Sequence, residues 1–136
     1  MSISKAEAEI KRLAASGTTI ELITCNSQPY ALVRAIRAPC PPWDRDLYDV
    51  LIAIPLAFDL GTPLDGFYLA LPYTFQGGEH NRVNGQIITV AGRQWRLVSW
   101  HYPDGKAFNP SIDTIESHIV HCRGLFLERG ALNARA

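Results

Sequence analysis

The chain has no surplus of charge: 13 Lys and Arg stand against 13 Asp and Glu, and the isoelectric point is near 6.9. That balance provides no electrostatic footprint for nucleic acid or for an anionic membrane surface. Cysteine is scarce as well. Cys25, Cys40 and Cys122 are odd in number, far apart and without a CxxC pair, which argues against a disulfide framework or a zinc ribbon and predicts a reducing, cytoplasmic setting. The longest apolar run, "VLIAIPLAF", is far short of the roughly 20 residues of a membrane helix. The opening "MSISKAEAEIKRLAASG" lacks the apolar core of a signal peptide. Neither GK[ST] nor GxGxxG accompanies the glycines of "QGGEHNRVNG", so no phosphate loop is expected. Repeats, low-complexity tracts and linkers are missing too, and 136 residues are read as one domain, 1–136.

What is present alternates between helical and strand periodicity. Ser4 followed by Glu7 has the form of a capping box, and Ile3, Ala6, Ile10, Leu13 and Ala14 recur at helical spacing, so a helix is predicted that ends at Gly17. "TTIELITC" (18–25) and "YALVRAIRA" (30–38) are rich in β-formers, with "NSQP" as their turn. The prolines of "APCPPWDRD" make a loop. Strands are predicted at 47–54 and 66–72, giving a four-stranded antiparallel meander in an α+β fold. "YTFQGGEHNRVNG" reads as a loop, and "QIITVAG" with "QWRLVSW" as a hairpin or an extended flap. A second helix is predicted from Asn109 as cap, with Pro110 at its first position, to about Arg129. Its apolar stripe is Ile112, Ile115, Ile119, Cys122 and Phe126.

Candidate chemistry centres on "RQWRLVSWHY". Ser99 and His101 share one strand face, and an imidazole has the intrinsic pKa to activate a hydroxyl. His118 and His121 are spaced to share a metal, but no third ligand is marked nearby, so both are placed on the polar flank of the helix and no metal is expected. Cys122 falls on the buried stripe, leaving Cys40 as a reserve nucleophile in a proline-flanked loop. No GxSxG elbow of a serine hydrolase is present.

In the order of its elements, the chain resembles the core of ubiquitin-conjugating enzymes, and more closely a bacterial branch, the prokaryotic ubiquitin-conjugating family E. The resemblance rests on "IPLAFDLGTPLDGFYLALP", on "GRQWRLVSWH" (92–101) against a G-R-x-W-x-x-x-S-x-H pattern, and on "FNPSID" (108–113) against W-x-P-G-x-D. It covers roughly residues 30 to 128. Gly92, Arg93, Trp95, Ser99, His101, Pro110 and Asp113 match in order and spacing. Phe108 stands for the usual tryptophan, Ser111 for glycine and Trp100 for arginine. A competing register aligns "NGQII" with a eukaryotic NGxIC and puts Ile88 at the acyl-carrying position, which would make the chain an inactive adaptor.

The resemblance implies an acyltransferase that accepts a ubiquitin-like protein from an adenylating enzyme and passes it to an amine, without a cofactor. It also implies a metal-dependent deconjugating peptidase as a pathway partner, in a system of the antiphage-defence kind. With serine in place of cysteine the carrier would be an oxyester on Ser99, with His101 as base. Asn81 or backbone amides of the 80–92 loop would hold the oxyanion, and Tyr102 or Asp104 would orient His101 or the acceptor.

Overall fold

The structure, a computed structural model, describes residues 4–102 and 106–128. Two helices, α1 (Ser4–Ala15) and α2 (Ile115–Leu127), pack on one face of a six-stranded antiparallel sheet. The strands are β1 (Ile20–Cys25), β2 (Gln28–Arg37), β3 (Leu47–Ala53), β4 (Phe67–Ala70), β5 (Ile87–Val90) and β6 (Arg93–Val98). The four expected strands pair as a meander, and the sheet then continues in the order β1-β2-β3-β4-β6-β5. The expectation of four strands is therefore corrected to six. "QWRLVSW" is no flap: its strand β6 pairs directly with β4 through Phe67↔Val98 and Ala70↔Trp95, leaving β5 on the edge.

Local chemistry explains the turns. Asn26 and Ser27 have φ of 51° and 67°, and Ala91 and Gly92 have φ of 53° and 74°. Both pairs have the left-handed backbone of a tight two-residue hairpin, whose twist matches that of the flanking strands. Between Val33 and Ile36 the β2–β3 register slips, and the amide of Ala35 there donates to Asp49 Oδ1 at 3.1 Å. Asp49 also holds Arg93 of β6 at 2.7 Å, tying three strands on one side of the sheet.

Each helix start is capped by a carboxylate from elsewhere in the fold. Ser4 donates its hydroxyl to Asp59 Oδ2, and the Lys5 amide donates to Asp59 Oδ1, both at 3.1 Å, with Asp59 in a short 3-10 turn, Phe58–Leu60. This distant carboxylate takes the capping role that the sequence assigned to Glu7. Buried Glu9 of α1 accepts from the Ile115 amide at 2.7 Å, so α1 supplies a cap to α2. Thr114 completes that start: its hydroxyl accepts from the Ser117 amide, and Ser117 Oγ accepts from the Thr114 amide.

The second helix therefore begins five residues after the expected Asn109–Pro110 start. Asn109 and Asp113 close a turn instead, with the Asn109 amide donating to Asp113 Oδ2 and the Ser111 amide to Asn109 Oδ1. Ile112 lies in that turn, 76% exposed and off the apolar stripe, whereas Ile115, Ile119, Cys122 and Phe126 are buried as expected.

The core lies between the helices and the sheet. Leu13, Val50, Phe67, Leu69, Val98, Ile119 and Phe126 belong to it, along with Trp43 from the proline-rich loop. The opposite sheet face has a smaller cluster of Leu32, Leu51, Ala70, Val90 and Trp95, against which Ile88 packs. Among the described residues no helix is long and apolar enough to cross a membrane.

Candidate functional site

Ser99 stands just beyond the end of β6, where the loop after β4 folds back on the strand. The Gly85 amide donates to Leu97 O, the Leu97 amide to Gln86 O, and the Ser99 amide to Arg82 O at 2.7 Å. This close approach needs the glycine, because a Cβ on residue 85 would lie 2.6 Å from Leu97 Cβ and 2.9 Å from its carbonyl oxygen. The loop itself is anchored from within. The His80 amide donates to the Tyr73 hydroxyl, and the Arg82 amide donates to His80 Nδ1, both at 3.0 Å.

Ser99 is partly exposed, and its hydroxyl donates to Asn84 Oδ1 at 2.6 Å. Asn84 Nδ2 in turn donates to the backbone oxygen of Asn81 at 3.0 Å, which fixes which end of the amide faces the serine. Asn84 is the residue that sequence reading missed. Its signal, an Asn-Gly pair, reads only as a turn, and the contact exists because Gly85 lets the loop lie on β6.

Asn81 is exposed in the same loop and reaches Ser99 through Asn84 and the backbone. His101 is 69% exposed at its side chain, and its Nδ1 lies 3.6 Å from Asp65 Oδ2, on the segment leading to β4. The hydroxyl of Ser99 therefore meets an amide and His101 meets a carboxylate. Asp104 lies outside the described residues.

Behind this segment α2 presents two histidines, neither of them simply on a polar flank. His118 is fully buried; its Nε2 lies 2.9 Å from Gly66 O and its Nδ1 2.5 Å from the Tyr102 hydroxyl. A carbonyl only accepts, so the proton sits on Nε2 and Tyr102 donates to Nδ1. Both ring nitrogens are thus engaged. Burial holds the His118 pKa down at about 4 and pushes the Tyr102 phenol up.

His121 stacks on Tyr102 with ring centroids 3.8 Å apart and planes 7° from parallel. Its Nε2 donates to Trp100 O at 3.3 Å, and Trp100 Nε1 donates back to His121 O at 2.8 Å. The reciprocal pair clamps residues 100–102 onto α2. A Cβ at position 124 would sit 3.0 Å from Trp100 Cζ2, so Gly124 makes room for the indole. Burial also lowers the His121 pKa.

Between this segment and α2 runs a groove of about 470 Å³ lined by Arg82, Trp100, His101, Val120, His121, Gly124 and Glu128. Buried His80 lies next to it, stacked on Trp43. Since Nδ1 of His80 accepts, its proton is on Nε2, 4.0 Å from Glu128 Oε1, and burial lowers its pKa to about 4. A larger cavity, about 760 Å³, is walled by Pro39, Pro41, Pro42, Phe75 and Phe126 and includes neither Ser99 nor His101. Cys40 is exposed, whereas Cys122 is buried with its thiol pKa raised by desolvation. No group of three or more His, Cys, Asp or Glu suited to a metal occurs among the described residues.

Comparison with curated proteins and with solved structures found no match for the chain. A family model, that of prokaryotic E2 family E, matches residues 6–127, a span that includes the whole sheet, the Ser99 segment and α2. With this match over most of its length, the chain belongs to prokaryotic E2 family E, a family of conjugating-enzyme-like proteins.

Proposed function

We propose that the protein is the conjugating component of a bacterial ubiquitin-like pathway and carries the modifier's C-terminal acyl group on Ser99 as an oxyester. An adenylating enzyme supplies the activated acyl group. Ser99 Oγ attacks its carbonyl carbon, the activating group leaves, and the hydroxyl proton passes to His101. An amine of the target then attacks the ester carbon and the new C–N bond replaces the C–O bond; His101, its first proton released to solvent, takes the proton the amine loses and returns it to Ser99 Oγ. The loop at 80–86 faces the same serine and supplies Asn81 and backbone amides as candidates to hold the oxyanion. Asp104 is the proposed orienter of His101 or of the acceptor, alongside Asp65. A metal-dependent peptidase would reverse the modification.

The observation carrying this reading is the position of Ser99. It is partly exposed just beyond the end of β6, its oxygen is held in one orientation by Asn84, and it lies within the span that the family model matches. Ile88, the acyl-carrying position of the competing register, packs in the cluster on the sheet face opposite the helices. Incubation with the adenylating enzyme, the ubiquitin-like protein and ATP should trap an adduct that resists thiols and yields to hydroxide. Loss of that adduct in Ser99→Ala supports the reading, and its persistence refutes it.

A second reading, a non-catalytic adaptor that binds the modifier or the adenylating enzyme, is favoured by one observation. The Ser99 proton is directed to an amide, which is no base, and His101 faces Asp65. An adaptor would bind its partners with the same affinity after Ser99→Ala and form no adduct.

A further inference from the structure

We propose that a recess on another side of α2 from the Ser99 segment binds the dianion of a phosphate group through Arg37 and Arg123. Three parts of the fold meet there: the link from α1 to β1 at Gly17–Thr19, the irregular stretch of β2 after Val33, and Arg123 of α2. The recess holds about 360 Å³, within the range of about 300–1,000 Å³ usual for small-ligand sites. It shares no residue with the groove beside Trp100. Arg123 follows His121 by two positions, roughly 200° around the helix, so it leaves α2 away from the clamp on residues 100–102.

The local chain leaves two of the three arginines here without a partner. The β2–β3 register slips between Val33 and Ile36, and Ala35 has a φ of 61°, a left-handed conformation uncommon for alanine. Such a bulge re-aims the side chains around it. Arg34 is paired with Glu21 at 2.5 Å. Arg37 and Arg123 are exposed and have no carboxylate partner or hydrogen bond among the described residues. The hydroxyls of Thr18 and Thr19 are unengaged as well, and buried Val33 and Ile36 complete the lining.

Two uncompensated positive charges beside free hydroxyl donors select an oxyanion with two negative charges. Each guanidinium presents a planar fork of N–H groups. One tetrahedral phosphate accepts from two forks at once, whereas the two oxygens of a carboxylate are used up by a single fork. A phosphate monoester carries nearly two charges above its second pKa of about 6, and a diester only one. No aromatic ring lines the recess, so a nucleobase has nothing to stack on and recognition rests on the phosphate itself. The site is independent of the acyl-carrier reading.

The test is a titration at about pH 7.5 and constant ionic strength, followed through the arginine Nε–H signals by NMR, with inorganic phosphate, N-acetyl-O-phosphoserine methylamide and dimethyl phosphate as probes. Saturable shifts at Arg37 and Arg123 are expected from the first two, and at least about tenfold weaker binding from the singly charged dimethyl ester. Arg37→Gln and Arg123→Gln should each weaken binding about tenfold. Both positions are exposed, so neither change disturbs the core. Arg37→Lys, which keeps the charge without the fork, should recover only part of the loss. Tighter binding of the phosphoserine probe identifies a phosphorylated chain segment as the source of the dianion, and tighter binding of inorganic phosphate identifies the free ion. The proposal is overturned if no saturable shift occurs, if acetate or dimethyl phosphate binds as well as phosphate, or if both glutamine variants keep the wild-type affinity.

Discussion

Ser99 Oγ lies 2.6 Å from Asn84 Oδ1, and the nearest histidine in sequence, His101, points its Nδ1 toward Asp65 at 3.6 Å. The serine is thus oriented by a neutral amide whose other end is fixed to the Asn81 carbonyl. In this arrangement the hydroxyl is held ready without being ionised. In the proposed acyl-carrier reading, His101 would swing from Asp65 toward Ser99 to take the proton, a side-chain rotation open to an exposed residue.

The Ser99–Asn84 contact depends on Gly85. Gly85→Ala places a methyl against Leu97 Cβ and its backbone oxygen, which cannot move without disturbing β6. A loss of about 1–3 kcal/mol in folding stability is expected, read by urea denaturation, together with a weaker Ser99 adduct. Unchanged stability would mean that the loop is not held against β6 as described.

Tyr102→Phe removes the donor to buried His118 Nδ1 and leaves that nitrogen without a partner. A cost of about 1–3 kcal/mol is expected, whereas a phenylalanine that only repacked would cost a few tenths. Because Tyr102 also stacks on His121, the NMR signal of the Trp100 Nε1–H should shift as the clamp on residues 100–102 loosens. An unshifted signal in a fully stable variant would count against the clamp.

Acid should destabilise the fold well above the carboxylate range. His80 and His118 titrate near 4 when folded, against an ordinary histidine value of 6.5, because burial disfavours their charged forms. Between these limits the unfolded chain binds protons that the folded chain refuses. Their stabilisation is therefore complete above about pH 6.5 and declines as pH falls toward 4, by up to about 3 kcal/mol for each histidine. Thermal melts from pH 7.5 to 4.5 test this. The decline should be shallower in His118→Gln, and a flat wild-type profile would contradict the buried neutral histidines.

Much of this architecture is legible in the sequence because it follows local rules. β-rich runs, a hairpin turn at Asn26–Ser27 and the stripe from Ile115 to Phe126 each carry their own signal. Two things are not. The sheet gains β5 and β6 because "QWRLVSW" pairs with β4, a long-range contact that short strands do not announce. Helix α2 starts at Ile115 because Glu9, 106 residues away in sequence, caps it, while Asn109 and Pro110 form a turn with equally valid local chemistry. The site shows the same division. Ser99 and His101 stand out by residue type, whereas Asn84 reaches Ser99 only through the fold.

The central claim, that Ser99 carries the acyl group, is most directly tested by mass-spectrometric mapping of the modifier adduct formed with the adenylating enzyme and ATP. The modifier's C-terminal remnant is expected on the peptide containing Ser99, with loss of that peptide's modification in Ser99→Ala. A remnant on Cys40, or a protein that binds both partners and remains unmodified, would contradict it.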